Sequence, residues 1–80
     1  MITIEVRSYA ALQQYNPKLK IGDPLAMGLN NETKLEDLLA ELKLPKEEAN
    51  TVFVNGRWEG EHYILRDGDK IFIFPPIGGG

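Results

Sequence analysis

Three glycines, Gly78, Gly79 and Gly80, close the sequence behind Phe74-Pro75-Pro76-Ile77. The chemistry such a segment offers is that of its main chain. Glycine has the thinnest cross-section of any residue, so Gly78 to Gly80 can pass through a channel that excludes other residues. A terminus at Gly80 presents an unhindered carboxylate. Pro75 and Pro76 hold the chain extended and keep it from folding back into a sheet. Six residues beyond Phe74 reach up to about 20 Å at roughly 3.3 Å each. Ordering each of them costs about 1–2 kcal/mol, so a docking surface on the folded body must supply much of the affinity. The tail therefore reads as a carboxylate to be delivered into another protein's active site.

Side-chain chemistry is sparse by comparison. His62 is the single histidine, and no nucleophile–base pair forms around it on the sequence; a surface or strand-edge position is expected. Asp67 and Asp69 flank Gly68 and could suggest a cation site. The further ligands and closing glutamate of a calcium loop are missing, and a turn needing Gly68 at positive φ accounts for the spacing better. Glu47-Glu48, Glu59 and Glu61 read as solvated charge. The glycines precede no helix, so they are not a phosphate-cradling loop. The absence of cysteine excludes disulfides, thiolate metal sites and thiol nucleophiles. No catalytic residue and no directly bound cofactor or metal is expected.

The chain has 80 residues and 9.0 kDa, enough for one small domain with a thin core. Net charge is −3, and the nine basic residues are scattered rather than clustered, which leaves nucleic-acid binding without electrostatic support. No apolar run approaches the roughly 20 residues of a membrane span. The start, "MITIEVR", has no basic region followed by an apolar one, so it is not a secretory signal. A cytoplasmic location is expected.

The elements that must position the tail follow from periodicity. "ITIEVR" alternates strictly, with Ile2, Ile4 and Val6 on one face, and predicts a half-buried strand. "SYAALQQY" predicts a short helical turn, with Asn16-Pro17 and Gly22-Asp23-Pro24 marking loops. "LAMGL" predicts a second strand beside the first. Thr33 with Glu36 fits a capping box, and Leu35, Leu38, Leu39 and Leu42 then form one apolar helical stripe. Pro45 ends that helix nearby. "TVFV" predicts a strand entering a tight Asn55-Gly56 turn. "HYIL" predicts a short strand or approach, and Lys70 to Phe74 a last strand after an Asp67-Gly68 turn. One helix across a mixed sheet buries every stripe, which is the α+β, β-grasp (ubiquitin-like) arrangement. The body is expected over residues 1–75, with the extended tail at 76–80. If Ile71 and Ile73 face the helix, Phe72 and Phe74 face away from it. With Pro75, Pro76 and Ile77 they form an apolar patch suited to an interface, unless residues 8–24 cover it.

"VFVNG", "LRDGDKIFIFPP" and the terminal glycine pair resemble the MoaD/ThiS family of ubiquitin-like sulfur carriers over nearly the whole chain. The Phe-Pro-Pro-x-x-Gly-Gly ending is most similar to the MoaD branch, the small subunits of molybdopterin synthase. The stretch "SYAALQQYNPKLKIGDP" departs from the Ala-Arg-Glu-like helix usual in that branch. The resemblance implies that an E1-like adenylating enzyme (MoaB/MoeB/ThiF type) activates Gly80 with ATP and Mg²⁺. A persulfide sulfur donor then converts it to a thiocarboxylate. The sulfur passes to a pterin precursor in the synthase large subunit (MoaE type), for a molybdenum or tungsten cofactor. Ile77, Gly78 and Gly79 would thread into the partner, with Phe72, Phe74, Pro75 and Pro76 docking beside them. Thiazole synthesis, tRNA thiolation, conjugation to lysines as a protein modifier, and a non-covalent binding module are the competing readings.

Overall fold

The computed structural model describes residues 1–9, 12–45, 47, 49 and 51–74. Its elements are β1 (Ile2–Ser8), a 3₁₀ turn (Leu12–Gln14), β2 (Leu25–Leu29), α1 (Leu35–Glu41), β3 (Thr51–Val54), β4 (Arg57–Trp58) and β5 (Lys70–Phe74). The strands form one mixed sheet in the order β2-β1-β5-β3-β4. β5 lies between β1, to which it is parallel, and β3, to which it is antiparallel. This is the β-grasp arrangement that the element order implied.

Alternation decides the faces. Ile4, Val6, Val52, Val54, Ile71 and Ile73 are buried on the side that meets Leu35, Leu38 and Leu39 of α1. Full burial of each such side chain contributes about 1.5–3 kcal/mol. Leu12 and Leu19, from the long connection after β1, also enter this core. Ser8 is buried among them, and its Oγ has no hydrogen-bond partner among the described residues. Asn55 (φ 54°) and Gly56 (φ 87°) both take positive φ, which gives β3 and β4 the two-residue hairpin turn expected of that pair.

The helix ends differ from expectation. The N-cap is Lys34 rather than Thr33, and the N3 carboxylate is Asp37 rather than Glu36. Asp37 Oδ2 accepts the Lys34 N–H at 3.1 Å, while the Thr33 hydroxyl donates to the Asn30 carbonyl at 2.7 Å instead of capping. The first free donors of α1 are taken by the following loop: Leu35 N–H by Tyr63 O at 2.8 Å and Glu36 N–H by Glu61 O at 2.9 Å. A capping hydroxyl is therefore unnecessary. "HYIL" is accordingly not a strand of the sheet; only Ile64 bridges, to Lys34. At the other end Lys43 takes φ 60°, its N–H reaches Ala40 O at 3.0 Å, and Leu44 N–H reaches Leu39 O at 3.1 Å. This Schellman closure stops the helix before Pro45 acts. Asn16 Nδ2 donates to the Leu42 carbonyl at 3.1 Å, tying the 3₁₀ region to the helix end.

Candidate functional site

β5 carries the site because its two faces do different work. Ile71 and Ile73 are fully buried, while Phe72 and Phe74 lie half-buried on the outer face of the sheet. Phe53 pairs opposite Phe72 across the β3–β5 ladder and meets Phe74 edge-on at 5.6 Å. Tyr9, just past β1, stacks on Phe74 at 5.1 Å and Phe72 at 6.2 Å. A shallow apolar depression of about 440 Å³ remains between Phe53, Phe72, Phe74, Thr51 and Gly56. Among the described residues of the 8–24 segment, Tyr9 covers part of the outer face, while Leu12 and Leu19 turn to the core.

Charge borders the aromatic cluster on the β1 side. Arg7, paired beside Phe72, holds Glu5 Oε1 through Nη2 at 3.1 Å and Nε at 3.2 Å. The hydrogen bond that Arg7 donates to Glu5, then its side-chain bond with Tyr9, raises the guanidinium further above its already high range, so it stays cationic. Lys70 sits beside Glu5 across the same ladder. The patch is thus apolar towards β3 and paired charge towards β1, the anatomy of an interface core with a polar rim.

The root of β5 is fixed by a polar network. Asp69, nearly fully buried, accepts Asn55 Nδ2 at 2.8 Å through Oδ1, and Tyr63 OH at 3.0 Å and Arg66 N–H at 2.9 Å through Oδ2. Asn55 Oδ1 in turn accepts Lys70 N–H at 2.9 Å. Burial first, and the bond to Asp69 second, push the Tyr63 phenol above its ordinary pKa. Asp67 Oδ1 accepts Thr3 N–H at 2.8 Å, and Gly68, at φ 87°, donates its N–H to Thr3 O at 2.8 Å. The Asp-Gly-Asp turn is therefore committed to holding strands, as its spacing implied. His62 is exposed, with Nδ1 3.7 Å from Glu36 Oε2 and Nε2 3.8 Å from Glu61 Oε1. Glu59, read as solvated, is half-buried.

Of the residues singled out on the sequence, the structure brings Phe72 and Phe74 together on one face. Pro75, Pro76, Ile77, Gly78, Gly79 and Gly80, and with them the boundary at 75/76, lie outside the described residues. Tyr9 and Phe53 are additions. Phe53 had a readable signal, since alternation in "TVFV" sets it opposite Val52 and Val54. Tyr9 had none, lying beyond the strand's periodic run. Among the described residues no helix is long and apolar enough to cross a membrane.

The ThiS family model matches residues 14–80. Solved structures agree over nearly the entire chain. A candidate molybdopterin converting factor, subunit 1, from Pyrococcus furiosus is 25% identical with a TM-score of 0.74, covering 96% of this chain and 100% of that one. The complex of subunits 1 and 2 of molybdopterin-converting factor from Helicobacter pylori matches at 23% identity and TM-score 0.60, covering 99% of this chain and 100% of that one. The small archaeal modifier protein 1 of H. volcanii shares the fold at 15% identity and TM-score 0.70, covering 96% and 100%. Comparison with curated protein sequences gives no match.

Proposed function

The chain belongs to the ThiS family of MoaD/ThiS-like ubiquitin-like sulfur carriers, and from that premise we propose that it carries sulfur on the carboxyl carbon of Gly80 for a metal-pterin cofactor. The observation that supports this most is continuity. The aromatic face of Tyr9, Phe53, Phe72 and Phe74 runs to the last residue of β5, from which Pro75 to Gly80 continue. A partner that docks on this face thus receives the tail directly.

The chemistry belongs to the partners. Within an E1-like enzyme that holds ATP with Mg²⁺, the Gly80 carboxylate would attack the α-phosphorus, breaking its bond to the β-phosphate to give an acyl-adenylate and pyrophosphate. The terminal sulfur of a donor persulfide displaces AMP by forming a C–S bond to the Gly80 carbonyl carbon. A thiol then cleaves the S–S bond brought by the donor, leaving a terminal thiocarboxylate and a disulfide between the donor and that thiol. The large subunit of a molybdopterin-synthase-type pair receives the tail and moves the sulfur to a pterin precursor. The subunit complex of the Helicobacter pylori relative supports such a pairing. The body contributes docking and aim: Phe72 and Phe74 bind, Pro75 and Pro76 keep the chain extended, and Ile77, Gly78 and Gly79 enter the narrow channel.

Intact-mass measurement of protein from its native host tests the proposal. A thiocarboxylate adds about 16 Da over the carboxylate, and thiol-specific alkylation separates it from oxidation. No alkylatable terminus in cells making the cofactor refutes the carrier reading, as does a chain continuing past Gly80. Isopeptide-linked ladders that vanish on removal of Gly79-Gly80 would instead establish a protein modifier.

A further inference from the structure

A second surface lies across the sheet from the aromatic face, between α1 and the β3–β4 edge. It is a cleft of about 490 Å³ whose floor is Leu35, Leu39, Leu44, Ala49 and Val52. Trp58, 63% exposed, forms part of its wall. The rim is acidic: Glu36, Glu59 and Glu61 border the opening with His62, and none of the described lining residues is Lys or Arg. At one end Glu36, Glu61 and His62 bring their side-chain tips within 4.8 Å of one another. Backbone bonds from α1 to residues 61 and 63 hold this rim in place.

We propose that the cleft docks a basic peptide segment of a partner protein, anchored by apolar side chains. An apolar floor accepts the anchors, and carboxylates above it select cationic flanks and repel acidic ones. β4 ends the sheet order, pairing only with β3 among the described strands. Its outer flank, unpaired among the described strands, lets an extended segment add main-chain hydrogen bonds beside the cleft, which favours a peptide over a small molecule. The cleft lies on the helix side of the sheet and the Phe72 face on the other, so docking here leaves the Phe72 face open. The protein can then be held by one partner while another works on its terminus.

Trp58, the single tryptophan of the chain, borders the cleft while pairing with Phe53 across the hairpin, so its fluorescence follows binding and the amide shifts of Leu39 and Val52 assign that binding to the cleft. The full-length protein is titrated with a short leucine–lysine amphipathic peptide and with its leucine–glutamate counterpart, while amide shifts locate the contact. Saturable binding of the lysine peptide alone is expected, with shifts at Leu39, Val52 and Trp58 and weakening by salt. Glu36→Lys with Glu59→Lys should lower affinity about tenfold or more, and Phe72→Asp should leave it within about twofold. Glu59→Lys alone, expected to weaken binding several-fold, serves if the double variant does not fold. Equal binding of both peptides, indifference to charge reversal, or shifts centred on Phe53 and Phe72 would overturn the proposal.

Discussion

Replacing Asp69 by asparagine keeps the side chain's volume and turns one carboxylate oxygen into an amide nitrogen. With the remaining oxygen at the Oδ2 position, Tyr63 OH and Arg66 N–H keep their acceptor. The new NH₂ then confronts Asn55 Nδ2, which now donates at 2.8 Å to Oδ1. Asn55 cannot turn over to relieve this, because its own oxygen holds Lys70 N–H at 2.9 Å. The opposite flip fails too: the Tyr63 hydroxyl can rotate to accept, but Arg66 N–H cannot. One bond is lost and two weaken from charge-assisted to neutral, a cost of about 2–3 kcal/mol. Asp69→Ala removes all three acceptor contacts, but Asn55 and Arg66 are exposed enough to recover water. Its cost is about 3–4 kcal/mol. A domain of 80 residues has roughly 4–12 kcal/mol in total, so both variants should move a urea midpoint far with little change in slope. Pairing Asp69→Ala with Asn55→Ala should show about 1–2 kcal/mol of coupling. If the asparagine variant matches the parent within about 0.5 kcal/mol, or the alanine variant is the more stable of the two, the buried carboxylate does not hold β5 as described.

Tyr63→Phe should cost about 1 kcal/mol at neutral pH. Because the folded protein holds the phenol proton more tightly than the ordinary value of 10.0, that contribution is complete below about pH 10 and fades as pH rises through the folded pKa. Urea midpoints of parent and variant should therefore converge in alkali; a constant gap would show that the phenol titrates alike in both states. Lys43→Gly relieves a left-handed φ of 60° at the helix C-terminus and should gain about 0.5–1 kcal/mol, read as a melting temperature a few degrees higher. A lower one would mean that the lysine side chain contributes more than the strain costs. If an E1-like enzyme activates the chain as proposed, Phe72→Asp should abolish that adenylation while costing about 1–2 kcal/mol of stability, through lost contact with Tyr9 and Phe53. A collapsed fold would instead make Phe72 a core residue.

Period-two alternation was enough to assign β1, β2, β3 and β5, and the leucine stripe was enough to assign α1, because each pattern records which side is dry. Thr33 misled for a physical reason. A capping residue is needed only where helix donors lack other partners, and here the carbonyls of Tyr63 and Glu61 reach them from residues distant in sequence. The same long-range pairing draws "HYIL" off the sheet. Asn55 and Asp69 were legible as turn residues, and they do make turns. Their bond to one another joins two turns 14 residues apart, which no local pattern encodes. Phe72 and Phe74 were legible as outward-facing, whereas Tyr9 above them depends on how the chain leaves β1.

The two ends of β5 contrast. At its root the strand is fastened on both sides, by Asn55 through paired bonds with Lys70 and by Glu5 N–H, which donates to the Asp69 carbonyl at 3.0 Å. Along its length Ile71 and Ile73 are fully enclosed. At Phe74 the last described contacts are aromatic rings on the outer face. A displacement of the strand's root would tilt Phe72 and Phe74 with it, since one backbone carries both. If Gly80 is delivered as proposed, stability at Asp69 and that delivery should be coupled through the five residues of β5. Asp69→Asn, assayed while still folded, should slow activation more than its loss of folded population explains. A rate that merely follows the folded fraction would show that β5 serves as a tether without aiming anything.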